Sequence, residues 1–394
     1  MRRLTASAIA VILAALTNAC SDSTTESTSP PLTTASPVST ASPTTASTTS
    51  TAPASTTTEA STTSTLPDYT NAAWTRVDAP SDCMCSDGSP YAYWVRTADP
   101  TKVVFFMQGG GACFSAETCA AGSGTYKATV TAGDDPGGFA SGIWDFTDAR
   151  NPFTDWSFVF VPYCTGDLHL GTATQQYSPD VAVHHNGSVN ATTALDDLAA
   201  QFPDATQVVV AGESAGSAPT PLYAAMTHDR LPDADVTVLA DGSGAYPDAG
   251  GINAVLAQLW GAEVALPRWP EVSGLTIADW SLPDLFVRAS EHDPEIIFGR
   301  HDYAYDGVQQ FFAGLAGIPG DDLVSLIDGN EALIEQGGVD LHSYISPGDS
   351  HTVLSRPEFY TETTEGVALV DWVADLVRRR PDLDVHCTDC KVPG

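Results

Sequence analysis

Five continuous apolar runs interleaved with helix-like stretches constrain this chain more than any other feature in it. They are Val103-Val104-Phe105-Phe106-Met107, Phe158-Val159-Phe160-Val161, Val208-Val209-Val210-Ala211, Val236-Thr237-Val238-Leu239-Ala240 and Ile296-Ile297-Phe298. Each is short, bounded by turn residues and rich in β-branched or aromatic side chains, which reads as a buried strand. Helices are predicted over 193–201, 215–227, 308–315 and 367–379. Strands that are apolar throughout, with helices between them, specify an α/β fold with a mostly parallel central sheet and helices on both faces. In such sheets chemistry gathers at the carboxyl ends of strands. Three polar clusters in this sequence directly follow predicted strands.

The first is Gly212-Glu213-Ser214-Ala215-Gly216, entered from the strand at 208–211 and left by a helix. A Ser in a G-x-S-x-G turn between strand and helix is held in a strained conformation that pushes its hydroxyl outward, as a nucleophile requires. The bland alternative is an ordinary glycine turn. The second cluster, Gln108-Gly109-Gly110-Gly111-Ala112-Cys113, follows the strand at 103–107. Glycines there let backbone amides approach a developing oxyanion, and the amide after the nucleophile, Ala215, supplies another donor. A flexible turn is the competing reading. A phosphate loop is not expected, because no Gly-Lys-Ser/Thr follows.

A Ser nucleophile needs a His to take its proton and a carboxylate to orient that His. Downstream of Ser214 the histidines are at 228, 292, 301, 342, 351 and 386. His342 alternates along a predicted strand, Leu341 to Ile345, and reads as wall. His351 follows in the turn-rich Ser346-Pro347-Gly348-Asp349-Ser350, where a base belongs. The third cluster, Arg300 to Asp306, follows the strand at 296–298 and offers the acid, but spacing leaves Asp302 and Asp306 both open. His169, His184, His185 and Asp241-Gly242-Ser243-Gly244 are further candidates to line the cleft. No metal-ligand spacing such as H-E-x-x-H is present, and no cofactor is expected.

The rest of the chain sets the context. Residues 1–19 read as an export signal, with Arg2 and Arg3 before an apolar run too short to span a bilayer. Leu16-Thr17-Asn18-Ala19-Cys20 is similar to a lipoprotein box, which would make Cys20 the acylated first residue; plain cleavage after Ala19 is the alternative. Residues 20–66 are nearly all Ser, Thr, Pro and Ala and are expected to form a disordered tether. Residues 67–394 then form a single domain. No transmembrane helix is expected, so membrane contact would come only through a lipid at Cys20. The formal charge of −33, with Lys only at 102, 127 and 391, repels nucleic acid. Seven cysteines follow Cys20, and in an exported chain they are expected to form disulfides. Cys387-Thr388-Asp389-Cys390 reads as a structural bridge at the end of the chain.

Several motifs together resemble the pectin acetylesterase and Notum family of serine carboxylesterases. They are Cys85-Ser86-Asp87-Gly88-Ser89-Pro90-Tyr91, the Gln108 to Cys113 loop with Phe114 and Cys119, Val161-Pro162-Tyr163-Cys164, the Ser214 elbow, Tyr305-Asp306-Gly307-Val308-Gln309 and Ser350-His351. The resemblance implies an α/β-hydrolase-like fold and a triad of Ser214, Asp306 and His351. It also implies oxyanion amides at Gly110, Gly111 and Ala215, and disulfides Cys113–Cys119 and Cys85–Cys164, leaving Cys83, Cys387 and Cys390 to share one bond. The chain departs from the family at Gly111-Ala112, where a bulky aromatic is common, and at Glu213 in the elbow. The expected function is an exported, surface-anchored esterase that removes an acetyl group from a carbohydrate. Cleavage of a longer acyl chain and an inactive surface binding module on the same scaffold are the alternatives.

Overall fold

A computed structural model of the chain describes residues 68–320, 322–380 and 384–391. The expected export signal, Cys20 and the tether lie outside the described residues. The strands are β1 (Trp74–Asp78), β2 (Ala92–Arg96), β3 (Asp99–Met107), β4 (Trp156–Val161), β5 (Ala173–Ser178), β6 (Val181–His185), β7 (Gln207–Glu213), β8 (Asp235–Asp241), β9 (Ile297–Tyr303), β10 (Leu341–Ser346), β11 (Thr363–Thr364), β12 (Val367–Ala368) and β13 (Val385–His386). The helices are α1 (Gly187–Gln201), α2 (Thr220–His228), α3 (Gly250–Trp260), α4 (Leu282–His292), α5 (Gly307–Leu315), α6 (Leu323–Gln336) and α7 (Leu369–Val377). None is long and apolar enough to cross a membrane.

Nine strands form the central sheet in the order β1-β2-β4-β3-β7-β8-β9-β10-β13. From β4 to β13 every pair is parallel; β1 and β2 add antiparallel at one edge. Strand alternation sends successive residues to opposite faces. Val103, Phe105 and Met107 of β3 therefore join a core with Leu195 and Leu198 of α1, Leu222 of α2 and Phe286 of α4. Val104 and Phe106 join Trp144, Phe158, Phe160 and the α7 side chains Trp372 and Leu376 on the other face. Each such fully buried side chain contributes about 1.5–3 kcal/mol, which is why these strands are apolar on both faces.

Three predicted elements differ in extent. The strand expected at 296–298 continues as β9 to Tyr303, so Arg300, His301 and Asp302 sit on a buried strand. They read as loop because they are polar, yet each has a partner there: Arg300 Nε forms an ion pair with Asp302 Oδ2 at 3.0 Å and His301 Nδ1 meets Asp241 Oδ1 at 2.8 Å. The helix expected from 215 begins only at Thr220, after a 3-10 turn over Ser214–Gly216. Helix α1 starts at Gly187, before the predicted 193. Cys85 is bonded to Cys164, Cys113 to Cys119 and Cys387 to Cys390, while Cys83 is buried and free. Three disulfides fit an oxidising, extracellular compartment.

Candidate active site

Strand register brings the polar clusters to one sheet edge. Met107 pairs with Gly212, Gly212 with Ala240, Asp241 with His301, and Tyr303 with Ser346. The loops leaving β3, β7, β8, β9 and β10 consequently emerge side by side at the carboxyl ends of the strands.

Ser214 follows β7 at once, with φ 54°. That left-handed conformation is costly for a residue with a Cβ and marks stored strain. The turn closes only between glycines: a Cβ on Gly212 would lie 2.3 Å from Gly216 O, and one on Gly216 would lie 2.1 Å from Met107 O. The Gln108–Gly111 loop passes directly over this turn, because a Cβ on Gly109 would meet Ser214 Cβ at 2.8 Å. Among the described residues, the amides of Gly110, Gly111 and Ala215 donate no turn or loop hydrogen bond. They are left available to an outside acceptor.

Buried contacts brace the glycine loop from below. Gln108 Oε1 accepts from Tyr163 N and from Lys127 Nζ, each at 3.1 Å, and its Nε2 donates to Asp134 Oδ1 at 3.2 Å. His169 Nε2 donates to the Gln108 carbonyl at 2.9 Å. Burial pushes the His169 pKa down to about 4 despite that bond, so its ring is neutral at ordinary pH. His185 is also committed, with Nδ1 2.9 Å from Thr165 O and Nε2 2.8 Å from Tyr177 Oη. His184 Nδ1 lies 2.8 Å from Thr174 Oγ1. These three histidines therefore serve structure beside the cleft.

His351 and Asp306 meet directly: Nδ1 lies 2.6 Å from Asp306 Oδ2. Asp306 is fully buried at the start of α5, where its Oδ1 accepts the amides of Val308 at 2.8 Å and Gln309 at 3.0 Å. The Gln309 side chain donates to Asp306 Oδ2 at 3.1 Å and to Asp302 Oδ1 at 2.9 Å. That double donation explains the Asp-x-x-Gln spacing, since the third helical residue reaches back to the capping carboxylate. Asp302 instead faces Arg300, the Gly244 amide and Gln309, away from His351. With Nδ1 bound, His351 Nε2 is buried and has no hydrogen-bond partner among the described residues. His351 and Ser214 line the same open cavity of about 640 Å³, together with Gly109, Gly110 and Gly111. Burial opposes charging the imidazole, but the Asp306 hydrogen bond and charge, helped by Asp241 and Glu213, outweigh it and hold the His351 pKa above the ordinary value.

Residues 67–258 match the family model described as pectinacetylesterase. A palmitoleoyl-protein carboxylesterase, notum2 of Xenopus laevis, is 30% identical over 137 residues, which cover 34% of this chain and 27% of that protein. Pectin acetylesterase 4 of Arabidopsis thaliana is 25% identical over 165 residues, covering 40% of each. Over these residues the chain resembles the pectin acetylesterase and Notum family. The aligned part spans only about a quarter to two fifths of these relatives' length. A crystal structure of the Wnt deacylase Notum from Drosophila has a TM-score of 0.58 at 16% identity, covering 80% of this chain and 97% of that one. That likeness establishes the α/β-hydrolase-like fold.

Two features of the site were not legible in the motifs. Beside Ser214 a second cavity of about 160 Å³ runs under α3 and α5, lined by Leu168, Ile252, Leu256, Trp260, Trp280 and Phe312 among others. Apart from Ser214 and a few hydroxyl and amide groups its wall is apolar. Gly242 and Ser243 belong to this wall, whereas Asp241 is fully buried behind it. The second feature is Ser355, whose hydroxyl donates to Glu213 Oε2 at 2.8 Å. Nothing in its sequence surroundings marks it. The cavity had a faint signal in the run of Ala, Leu, Ile and Trp between 249 and 285.

Proposed function

We propose that this protein is a serine carboxylesterase that hydrolyses an ester through an acyl-Ser214 intermediate. The observation that carries the reading is the His351 Nε2, buried without a partner, on the same cavity as a strained Ser214 and with its other nitrogen held by Asp306. In this reading Ser214 Oγ attacks the ester carbonyl while His351 Nε2 takes its proton. The oxyanion sits against the amides of Gly110, Gly111 and Ala215. The C–O bond to the alcohol breaks as His351 returns the proton to the leaving oxygen. Water, deprotonated by the same nitrogen, then attacks the acyl carbonyl and releases the acid and free Ser214.

The two cavities meeting at Ser214 suit the two halves of the substrate. The wide cavity with Thr125, Tyr126, Lys127 and Thr352 on its wall suits a polar alcohol such as a carbohydrate. The apolar cavity suits the acyl chain. Its volume of about 160 Å³ holds roughly five water-sized groups at about 30 Å³ each, most of which an acetyl group would leave empty. We therefore favour an acyl chain of about six carbons over the acetyl group expected from sequence, since each buried methylene contributes about 0.8 kcal/mol. Residues 1–19 are proposed to export the chain, with a lipid at Cys20 and residues 20–66 as tether to the cell surface. Rates on nitrophenyl esters of increasing chain length test the substrate reading: a maximum at medium chains supports it, and a maximum at acetate refutes it. A fluorophosphonate that fails to label Ser214 in folded protein would favour the binding module.

A further inference from the structure

Glu213 adjoins the nucleophile, lines the open cavity with Ser214 and His351, and has no part in the mechanism above. Its Oε2 accepts the Ser355 hydroxyl, and the direction of that bond is fixed. Trp144 Nε1 can only donate, and it donates to Ser355 Oγ at 2.9 Å, leaving the single hydroxyl proton for Glu213. Ser355 belongs to the loop that carries His351, and carboxylates hold that loop at three places. Asp306 takes His351, Asp241 Oδ2 takes the amides of Val353 at 2.8 Å and Leu354 at 2.9 Å, and Glu213 takes Ser355. Of the three carboxylates, Glu213 is the one covalently next to Ser214.

We propose that Glu213 is a positioning residue: it ties the nucleophile turn to the loop bearing His351 and, when ionised, adds its negative charge to those of Asp306 and Asp241 in stabilising the protonated imidazole. This rests on the triad reading given above. The ionisable groups facing its carboxyl are Asp241 from β8 and His351 from the loop after β10, and Lys127, paired with Asp134, lines the same cavity. Burial, reinforced by Asp241, pushes the Glu213 pKa up to about 7 against the Ser355 bond and the His351 charge. The charge of Glu213 therefore acts on His351, and that of His351 on Glu213. Above neutrality the ionised carboxylate supports the imidazolium that forms during proton transfer; below it, that support disappears.

The test is the pH profile of kcat/KM for the full-length protein on one nitrophenyl ester, from about pH 5 to about pH 9. Wild type is compared with Glu213→Gln, which keeps an acceptor for Ser355, and with Ser355→Ala. Wild type is expected to rise with a slope above one in the logarithm. Glu213→Gln is expected to follow a one-proton limb displaced to lower pH, with a plateau about tenfold lower, the equivalent of one pKa unit. Ser355→Ala removes a bond that favours the ionised carboxyl, so its limb is expected to move to higher pH. A purely structural role would lower both rates without moving either limb, and superimposable limbs overturn the proposal. If Glu213→Gln does not fold, an unmoved limb in Ser355→Ala overturns it. Failure of a fluorophosphonate to label Ser214 in folded wild type overturns the esterase reading and this inference with it. Labelling with unmoved limbs overturns this inference alone.

Discussion

Filling the apolar cavity should shorten the acyl chain that this site prefers without disabling its chemistry. Ala257, on α3, is 8% exposed and lines the cavity alongside Leu256 and Trp260. Ala257→Phe adds a six-carbon ring to a cavity holding roughly five water-sized groups, leaving room for little beyond an acetyl methyl. In wild type each methylene drawn from water into this wall is worth up to about 0.8 kcal/mol, or about fourfold in kcat/KM. Extending the acyl chain from two to six carbons should then gain up to about 3 kcal/mol, or roughly two orders of magnitude. The variant should lose that gain while hydrolysing acetate esters at near wild-type rates. The assay is kcat/KM across nitrophenyl esters, with thermal unfolding and fluorophosphonate labelling confirming an intact fold and nucleophile. Equal losses on acetate and hexanoate would show that the ring disturbs the triad. No change on hexanoate would show that the acyl chain lies elsewhere, and the assignment of this cavity would be wrong.

Ser214→Ala should abolish hydrolysis and fluorophosphonate labelling, with kcat lower by about five to six orders of magnitude, while the unfolding midpoint stays unchanged, because Ala keeps the Cβ and with it the strain of the turn. Asp306→Asn should lower kcat by about 10⁴-fold, because an amide holds the wrong imidazole tautomer; it should also move the acid limb of kcat/KM to lower pH. The sign follows from the raised His351 pKa, since only the neutral ring accepts the Ser214 proton and Asp306 favours its charged form. Asp302→Asn should show the converse, a loss of about 3–5 kcal/mol in urea unfolding as Arg300 is left poorly paired, with the acid limb in place. Replacing Cys85 and Cys164 by Ser should cost about 4 kcal/mol and replacing Cys113 and Cys119 about 2 kcal/mol on loop-closure grounds, since the bridged residues are 79 and 6 positions apart. Urea midpoints in the reversed order would show that local packing, and not chain entropy, governs these bridges.

The strands of the central sheet were legible because burial on both faces forces an apolar run, and the proposed nucleophile was legible because a tight strand-to-helix turn forces flanking glycines. Polar residues on buried strands broke the first rule. Arg300, His301 and Asp302 continue β9, yet each finds its partner on a different segment: Asn330 on α6, Asp241 at the end of β8, and Gln309 on α5. No local pattern announces a pairing made across dozens of residues. The same limit made Asp302 and Asp306 indistinguishable by spacing, although one neutralises a buried guanidinium and the other orients an imidazole.

Substrate choice was hidden for a related reason. The nucleophile turn is specified by five consecutive residues, so it survives as a motif. The acyl cavity is assembled from the segment after Cys164, the end of β8, α3, the start of α4 and the far side of α5. Each segment contributes a few apolar side chains, and each reads alone as ordinary core. Only their convergence makes a cavity, and the chain's composition would be the same had they packed it shut. The acetyl expectation therefore rested on family resemblance, whereas the preference for a longer chain rests on where Leu256, Trp260 and Phe312 stop short of one another. Glu213 belongs to the same class of information: a single residue inside a familiar motif whose effect depends on Ser355, 142 positions away.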